Sequence, residues 1–104
     1  SNEITMSVAG AGVLPAAPTG LTSAVAGRTV SLSSTAPGSG APPTSYSVEV
    51  GSWSGGVNLA VLDTGGTATA ISGPVAPGTY YIRVRTRAGA LLSSASNEVI
   101  VVVP

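Results

Sequence analysis

Apolar and polar residues alternate along the segment that follows Pro77-Gly78. One face of this segment carries Tyr80, Ile82, Val84 and Thr86, and the other face carries Tyr81, Arg83, Arg85 and Arg87. Alternation with a period of two after a proline-glycine turn is typical of a half-buried antiparallel strand. Tyr80 stands at the start of the strand, where the hydroxyl of a corner tyrosine can bond back to the main chain. The segment therefore predicts a β-sandwich.

Short β-branched runs separated by glycine, proline and serine continue along the rest of the chain. No window of a dozen residues places apolar side chains at helical spacing, so the pattern indicates strands throughout. We predict about seven strands, near Gly20–Ala26, Thr29–Ser34, Ser45–Gly51, Leu59–Leu62, Thr67–Ser72, Thr79–Arg87 and Asn97–Val103. Residues 36–44, 52–56 and 88–95 are predicted to be loops or turns. In a chain of 104 residues, this favours one all-β domain, a two-sheet antiparallel sandwich.

The first eight residues resemble the last strand. Residues 1–8, Ser-Asn-Glu-Ile-Thr-Met-Ser-Val, match residues 96–103, Ser-Asn-Glu-Val-Ile-Val-Val-Val. A repeat at about one domain length is typical of tandem modules, and chance similarity is the alternative. We expect residues 1–12 to be an arm, made of the last strand of a preceding module and a linker, and residues 13–104 to be the domain. A free Ile4–Val8 segment could pair with an exposed strand edge in the same molecule, or in a second copy as a strand-exchanged dimer.

Five motifs, in order along the chain, resemble those of a bacterial fibronectin type III domain. They are Pro18-Thr19-Gly20-Leu21, Val30-Ser31-Leu32, residues 43–51, Pro77-Gly78-Thr79-Tyr80 and Ser96-Asn97-Glu98-Val99. The resemblance covers about residues 17–103 and implies an immunoglobulin-like (fibronectin type III) sandwich. It departs from the family at Ser34, where a core tryptophan is usual. Val13, Leu14, Leu91 or Leu92 could fill that space, or the two sheets could approach more closely there, and Leu91 and Leu92 are the preferred candidates.

Composition narrows the possible functions. Four arginines balance four carboxylates without any lysine, which argues against binding to nucleic acid or to an anionic membrane. The absence of cysteine and histidine excludes a disulfide framework, a thiol nucleophile, an imidazole base and a zinc site, so no cofactor or metal is expected. No apolar run approaches the ~20 residues that span a bilayer, and no signal peptide is visible.

The carboxylates Glu3, Glu49, Asp63 and Glu98 are the remaining candidates for catalysis. Glycoside hydrolysis needs two of them facing each other across a cleft. Glu49 and Glu98 should instead point outward on the sheet that carries the arginines of the alternating strand. Cross-strand ion pairing explains them better than catalysis does, and we expect no enzyme activity.

Exposed apolar residues remain as candidates for contact with a partner. Trp53, in a glycine-rich turn, could pack on a neighbouring module, bind a protein, or stack on a sugar with Tyr81 as a second aromatic. Ile100 and Val102 should point outward on the last strand. The resemblance places Leu91 and Leu92 at the end that faces a preceding module, and Trp53 at the opposite end.

The leading hypothesis is a non-catalytic spacer in a multidomain bacterial protein that is secreted or displayed on the cell surface. Its candidate contact residues are Trp53, Tyr81, Arg83, Arg85, Leu91 and Leu92. The alternative is a binding module for a polysaccharide or a protein that uses Trp53 and Tyr81.

Overall fold

The computed structural model describes residues 14–104, and these form eight β-strands. The strands are β1 (Thr19–Ala26), β2 (Thr29–Thr35), β3 (Ser45–Gly51), β4 (Ala60–Asp63), β5 (Ala70–Pro74), β6 (Gly78–Ala88), β7 (Leu91–Ala95) and β8 (Val99–Val103). Residues 1–13, which contain the predicted arm and the segment Ile4–Val8, lie outside the described residues.

The strands form two antiparallel sheets, as the alternation predicts. The smaller sheet has the order β1-β2-β5. In the larger sheet β4, β3 and β6 lie side by side, and both β7 and β8 pair with the far edge of β6. All these pairings are antiparallel, so the described residues form a two-layer sandwich with the core between the sheets.

Strand β6 is the longest strand and sits at the centre of the larger sheet. Its inward residues Ile82, Val84 and Thr86 are buried, and its outward residues are partly exposed. The core adds Leu21, Val30 and Leu32 from the smaller sheet and Tyr46, Val48, Val101 and Val103 from the larger one. The Tyr80 hydroxyl donates a 2.7 Å hydrogen bond to Ala76 O, which is the predicted corner tyrosine.

Strand β7 replaces part of a predicted turn. Residues 88–95 were predicted to be a loop or turn, but Leu91–Ala95 form a strand that pairs with β6. In the structure the inward position of β7 is taken by Ser93, which is buried and accepts a hydrogen bond from Thr86 N at 2.8 Å. A hydrogen-bonded serine thus occupies an inward position that an apolar side chain usually fills. The prediction of a loop here was wrong.

Six other strands differ from the prediction at their ends, and β1, β2 and β6 are longer by one residue at one or both ends. β4 begins and ends one residue later than expected, and β5 lies at Ala70–Pro74 rather than at 67–72. Pro74 is tolerated because it closes a strand at the edge of its sheet. The last strand begins at Val99 because residues 96–98 leave the ladder for the contacts described below.

The space beside Ser34 is not filled by a leucine. Ser34 borders a cavity of about 20 Å³ that is also lined by Tyr46, Thr64 and Ile71. Leu91 and Leu92 do not line it, because β7 lies at the opposite edge of the larger sheet from β4, and their predicted role in the core was wrong. Leu14 is 57% exposed and does not fill it either. The sheets themselves close most of the space that a core tryptophan would occupy.

Candidate functional site

The turn that carries Trp53 is a closely bonded loop between β3 and β4. Gly56 N donates to Trp53 O at 3.0 Å, and Ser52 N donates to the side-chain oxygen of Asn58, also at 3.0 Å. Gly55 has φ +78°, a left-handed conformation that favours glycine. A Cβ on Gly56 would lie 2.8 Å from Trp53 Nε1, so the indole rests against the backbone of residue 56. Trp53 is thereby fixed while remaining 57% exposed.

Glu98 holds the same turn from the segment before β8. Ser54 Oγ and Gly55 N each donate a 2.8 Å hydrogen bond to its carboxylate. These bonds, with the Gly55 N–H contributing most, hold the pKa of Glu98 below its usual value. The prediction that Glu98 pairs with the arginines was wrong, because its carboxylate is used by the turn.

The two residues before Glu98 bind two further strands. Ser96 Oγ accepts a hydrogen bond from Val84 N on β6 at 2.9 Å. The Asn97 side-chain amide accepts a hydrogen bond from Leu21 N and donates one to Leu21 O, both at 2.9 Å. It thereby makes the same two bonds to β1 that the main chain of a neighbouring strand would make. The motif Ser96-Asn97-Glu98 was used in the sequence analysis only as a resemblance. In the structure each of its residues anchors a different element.

The arginines of β6 form ion pairs on the outward face of the larger sheet. Arg83 Nε and Arg85 Nε donate to the two oxygens of Glu49 at 2.7 Å and 2.9 Å. Burial opposes ionisation of Glu49, but the two guanidinium groups outweigh it and hold its pKa below the usual value. Arg87 lies 3.2 Å from Asp63 on β4, a pair that the sequence analysis missed. The predicted pairing of Glu49 with the arginines is confirmed.

Four large side chains occupy the other half of that outward face, and we call them the apolar strip: Trp53, Tyr81, Ile100 and Val102. Tyr81 lies opposite Gly51 of β3 on one side and opposite Ile100 of β8 on the other. Ile100 and Val102 are 61% and 62% exposed, as their predicted outward orientation requires. The face is thus divided into an apolar half and a half of paired charges.

Leu91 and Leu92 lie far from the apolar strip. They pair with Ala88 and Arg87, and Arg87 lies opposite Ser45, the first residue of β3. Trp53 follows Gly51, the last residue of that strand. Because a seven-residue strand is about 20 Å long, the leucines and the tryptophan stand at opposite ends of the sandwich.

The chain enters at the leucine end. Leu14 O accepts a hydrogen bond from Ala41 N, in the loop between β2 and β3, and Thr44 of the same loop bonds to Arg87 O and Gly89 N. The chain leaves at the tryptophan end, where Val103 pairs with Gly78. Leu91 and Leu92 therefore lie at the end of the sandwich where the described residues begin, and Trp53 lies toward the end where they finish.

Within residues 14–104, no group of three histidine, cysteine, aspartate or glutamate side chains is placed to hold a metal ion. The same part of the chain contains no helix of the length and apolarity needed to cross a bilayer.

The fold can be compared with solved structures. A Fn3-like protein from Clostridium thermocellum is 29% identical in sequence and superposes with a TM-score of 0.70, over 86% of this chain and 94% of the other. The described residues therefore have the fold of a fibronectin type III-like sandwich. The FN5 domain of Drosophila Lar, 16% identical, gives a TM-score of 0.67 over 88% of this chain and 98% of its own. No family model and no curated protein matches the sequence.

A segment of titin that contains domains A168–A170 shares this fold. It is 24% identical over 86% of this chain with a TM-score of 0.66, and this chain spans only 32% of its length. Fibronectin type III-like domains generally serve as structural or interaction modules, and they generally sit beside neighbouring modules in longer chains.

Proposed function

We propose that this chain is a non-catalytic spacer module of a secreted or cell-surface bacterial protein, and that it contacts neighbouring modules through its two ends. The observation that carries the proposal is the placement of apolar residues at the two ends of the sandwich. Leu14 and Leu92 are exposed and Leu91 is partly exposed where the described residues begin, and Trp53 is exposed where they finish. Inter-module contacts are formed beside those two points in any array that is joined end to end.

The rigidity of the Trp53 turn supports this function. A spacer transmits orientation only when the residues at its ends are fixed relative to its core. Glu98 and Gly56 fix the turn, and Asn97, next in the chain to Glu98, joins the two sheets. The exit end is therefore built as one unit with the sandwich.

The test uses the emission of Trp53, which is the chain's single tryptophan. The chain is produced alone and together with the module that follows it in the open reading frame, in a version whose own tryptophans are replaced by phenylalanine. We expect a blue shift of Trp53 emission and a common rotational correlation time for the two modules by NMR relaxation.

A matched variant distinguishes a direct contact between the two modules from their connection by the linker alone. Val61→Ser, as exposed as Trp53 but opposite Glu49 within β3, should leave the coupled tumbling intact, whereas Trp53→Ser should uncouple the modules. Independent tumbling of the two modules with unchanged emission would overturn the spacer proposal.

One observation favours a second function, a module that binds a polysaccharide or a protein. Trp53 is held in place with more than half of its surface exposed, and Tyr81 lies on the same face. An aromatic that is already fixed loses little conformational entropy on binding, which is the property of a stacking platform.

Affinity electrophoresis tests this alternative. Wild type, Trp53→Ala and the control Leu92→Ala are run through gels that contain bacterial or plant polysaccharides. Retardation that only Trp53→Ala loses would establish a sugar-binding module, and equal mobility in every gel would remove the sugar hypothesis.

A further inference from the structure

One side of the sandwich is open. Leu62 of β4 lies opposite the buried Val48, and Ile71 of β5 lies opposite the buried Leu32, so both side chains point inward. Yet Leu62 is 56% exposed and Ile71 is 37% exposed. Inward-pointing residues stay this exposed only where the two sheets do not meet.

An apolar cleft runs between β4 and β5. Two adjoining cavities, of about 240 Å³ and 250 Å³, reach from this side into the core. They share five lining residues, which are Val30, Val50, Leu62, Val75 and Ile82. The cleft is therefore continuous and lined by core side chains of both sheets.

The strands beside the cleft also have free edges. Among the described residues β4 pairs only with β3, and β5 pairs only with β2. Edge strands usually carry charges that discourage pairing. β5 has no charged residue, and the single charge of β4, Asp63, faces Arg87. This edge is open to an added strand.

We propose that Ile4–Val8 of the same chain adds to the free edge of β5 and places Ile4, Met6 and Val8 in the cleft. The segment alternates three apolar residues with Thr5 and Ser7, so one of its faces suits the cleft and the other suits water. Its five residues match the five of β5 in length.

The position of Leu14 determines the direction of the added strand. Leu14 is bonded to the loop that follows β2, at the end of the sandwich where β5 begins. Six peptide steps separate Val8 from Leu14 and span up to about 20 Å, whereas packed sheets lie about 10 Å apart. The arm must run toward this end while β5 runs away from it, so the pairing is antiparallel, the more stable arrangement.

The segment Ile4–Val8 cannot lie on β5 and at the same time be the last strand of a preceding module. The 104-residue chain should therefore close its own cleft, and a longer chain that contains a whole preceding module should leave the cleft open. The proposed spacer function does not depend on the outcome.

Amide hydrogen exchange of the 104-residue chain tests the proposal. We expect the amides of Ile4–Val8 to exchange at least about tenfold more slowly than in a peptide of residues 1–13. Met6→Asp places a charge in the cleft and should abolish the protection, whereas the control Thr5→Asp should retain it. Both substitutions lie outside residues 14–104, so neither should unfold that part of the chain.

Measurement at several protein concentrations distinguishes docking within one molecule from strand exchange between two copies. Protection that is equal at low and high protein concentration, in a monomer by sedimentation, supports the proposal. Protection that appears only with dimer formation would overturn it in favour of strand exchange. Peptide-like exchange in the wild type, or equal loss of protection in both variants, would overturn docking altogether.

Discussion

The side of the sandwich between β1 and β8 and the side between β4 and β5 are built differently. On the first side Asn97 spans the sheets to the backbone of Leu21, and Val101 and Val103 beside it are almost fully buried. On the second side Leu62 and Ile71 point into the interior and remain exposed. A polar side chain closes one side, and apolar side chains alone leave the other open. The contrast indicates that hydrogen bonds between the edges decide where the two sheets stay together.

Removal of the Asn97 amide should have the largest effect. Asn97→Ala leaves the buried N–H and C=O of Leu21 without partners, and we expect a loss of about 2–4 kcal/mol in the free energy of unfolding. Asn97→Asp can still accept from Leu21 N but cannot donate to Leu21 O, so its loss should be intermediate. Urea denaturation measures all three proteins. A loss for Asn97→Ala no larger than that for an exposed control, Ser31→Ala, would contradict the closure role.

Apolar truncations compare the two sides directly. Val101→Ala on the closed side should cost about 2–3 kcal/mol, because the cavity it leaves cannot collapse. Leu62→Ala removes more carbon but should cost only about 1 kcal/mol in a protein lacking residues 1–8, because its side chain is half exposed. Thermal denaturation of both variants in that shortened background gives the comparison. Equal costs would show that the second side is closed in solution without help from the arm.

The hydroxyl of the corner tyrosine should contribute less to stability than Asn97 or Val101. Tyr80→Phe removes the hydrogen bond to Ala76 O and should lower the free energy of unfolding by about 1 kcal/mol, without changing the packing of the ring. Tyr81→Phe is the matched control on the neighbouring, outward position and should change stability little. If the two substitutions cost the same, the corner bond does not stabilise the fold.

Acidification should have the smallest effect on stability. Its local effect should be on the Trp53 turn, which is bonded to the Glu98 carboxylate. The pKa values of Glu49, Asp63 and Glu98 are all lowered in the folded protein. Their ionised forms therefore stabilise the fold fully above the usual glutamate value of 4.5, and the contribution is lost as the pH falls through the lowered values. Trp53 emission should respond to acid before the sandwich unfolds, and Glu98→Gln should blunt that response. A Trp53 acid titration identical in the two proteins would show that Glu98 does not hold the turn.

The sequence predicted the regular part of the molecule and missed the places where polar groups do structural work. Alternation was sufficient for β6, because every second residue from Ile82 to Thr86 is buried. It failed at β7, where Ser93 takes an inward position, and at residues 96–98, whose side chains bind the backbone of other elements. Periodicity contains no information about such bonds, since they depend on which strands become neighbours.

The outward face was predicted in part for the same reason. Glu49 pairs with Arg83 and Arg85 because all three lie on adjacent strands at matching positions. Glu98 lies outside the ladder, so its position opposite the Trp53 turn follows from the loop and not from strand pairing. The open cleft was not predicted, because the inward residues Leu62 and Ile71 look the same in a sequence whether or not the sheets meet above them.

The contact between Asn97 and Leu21 also bears on when the protein can fold during its synthesis. It joins residues 76 positions apart. β1 can pair with β2 early, but its bond to the segment before β8 forms only when nearly the whole domain has been translated. The last strand must also clear the ribosomal tunnel before the sandwich can close. In a tandem array each module would then complete its fold only while the next one is being made, and this delay exposes unpaired strands to their neighbours.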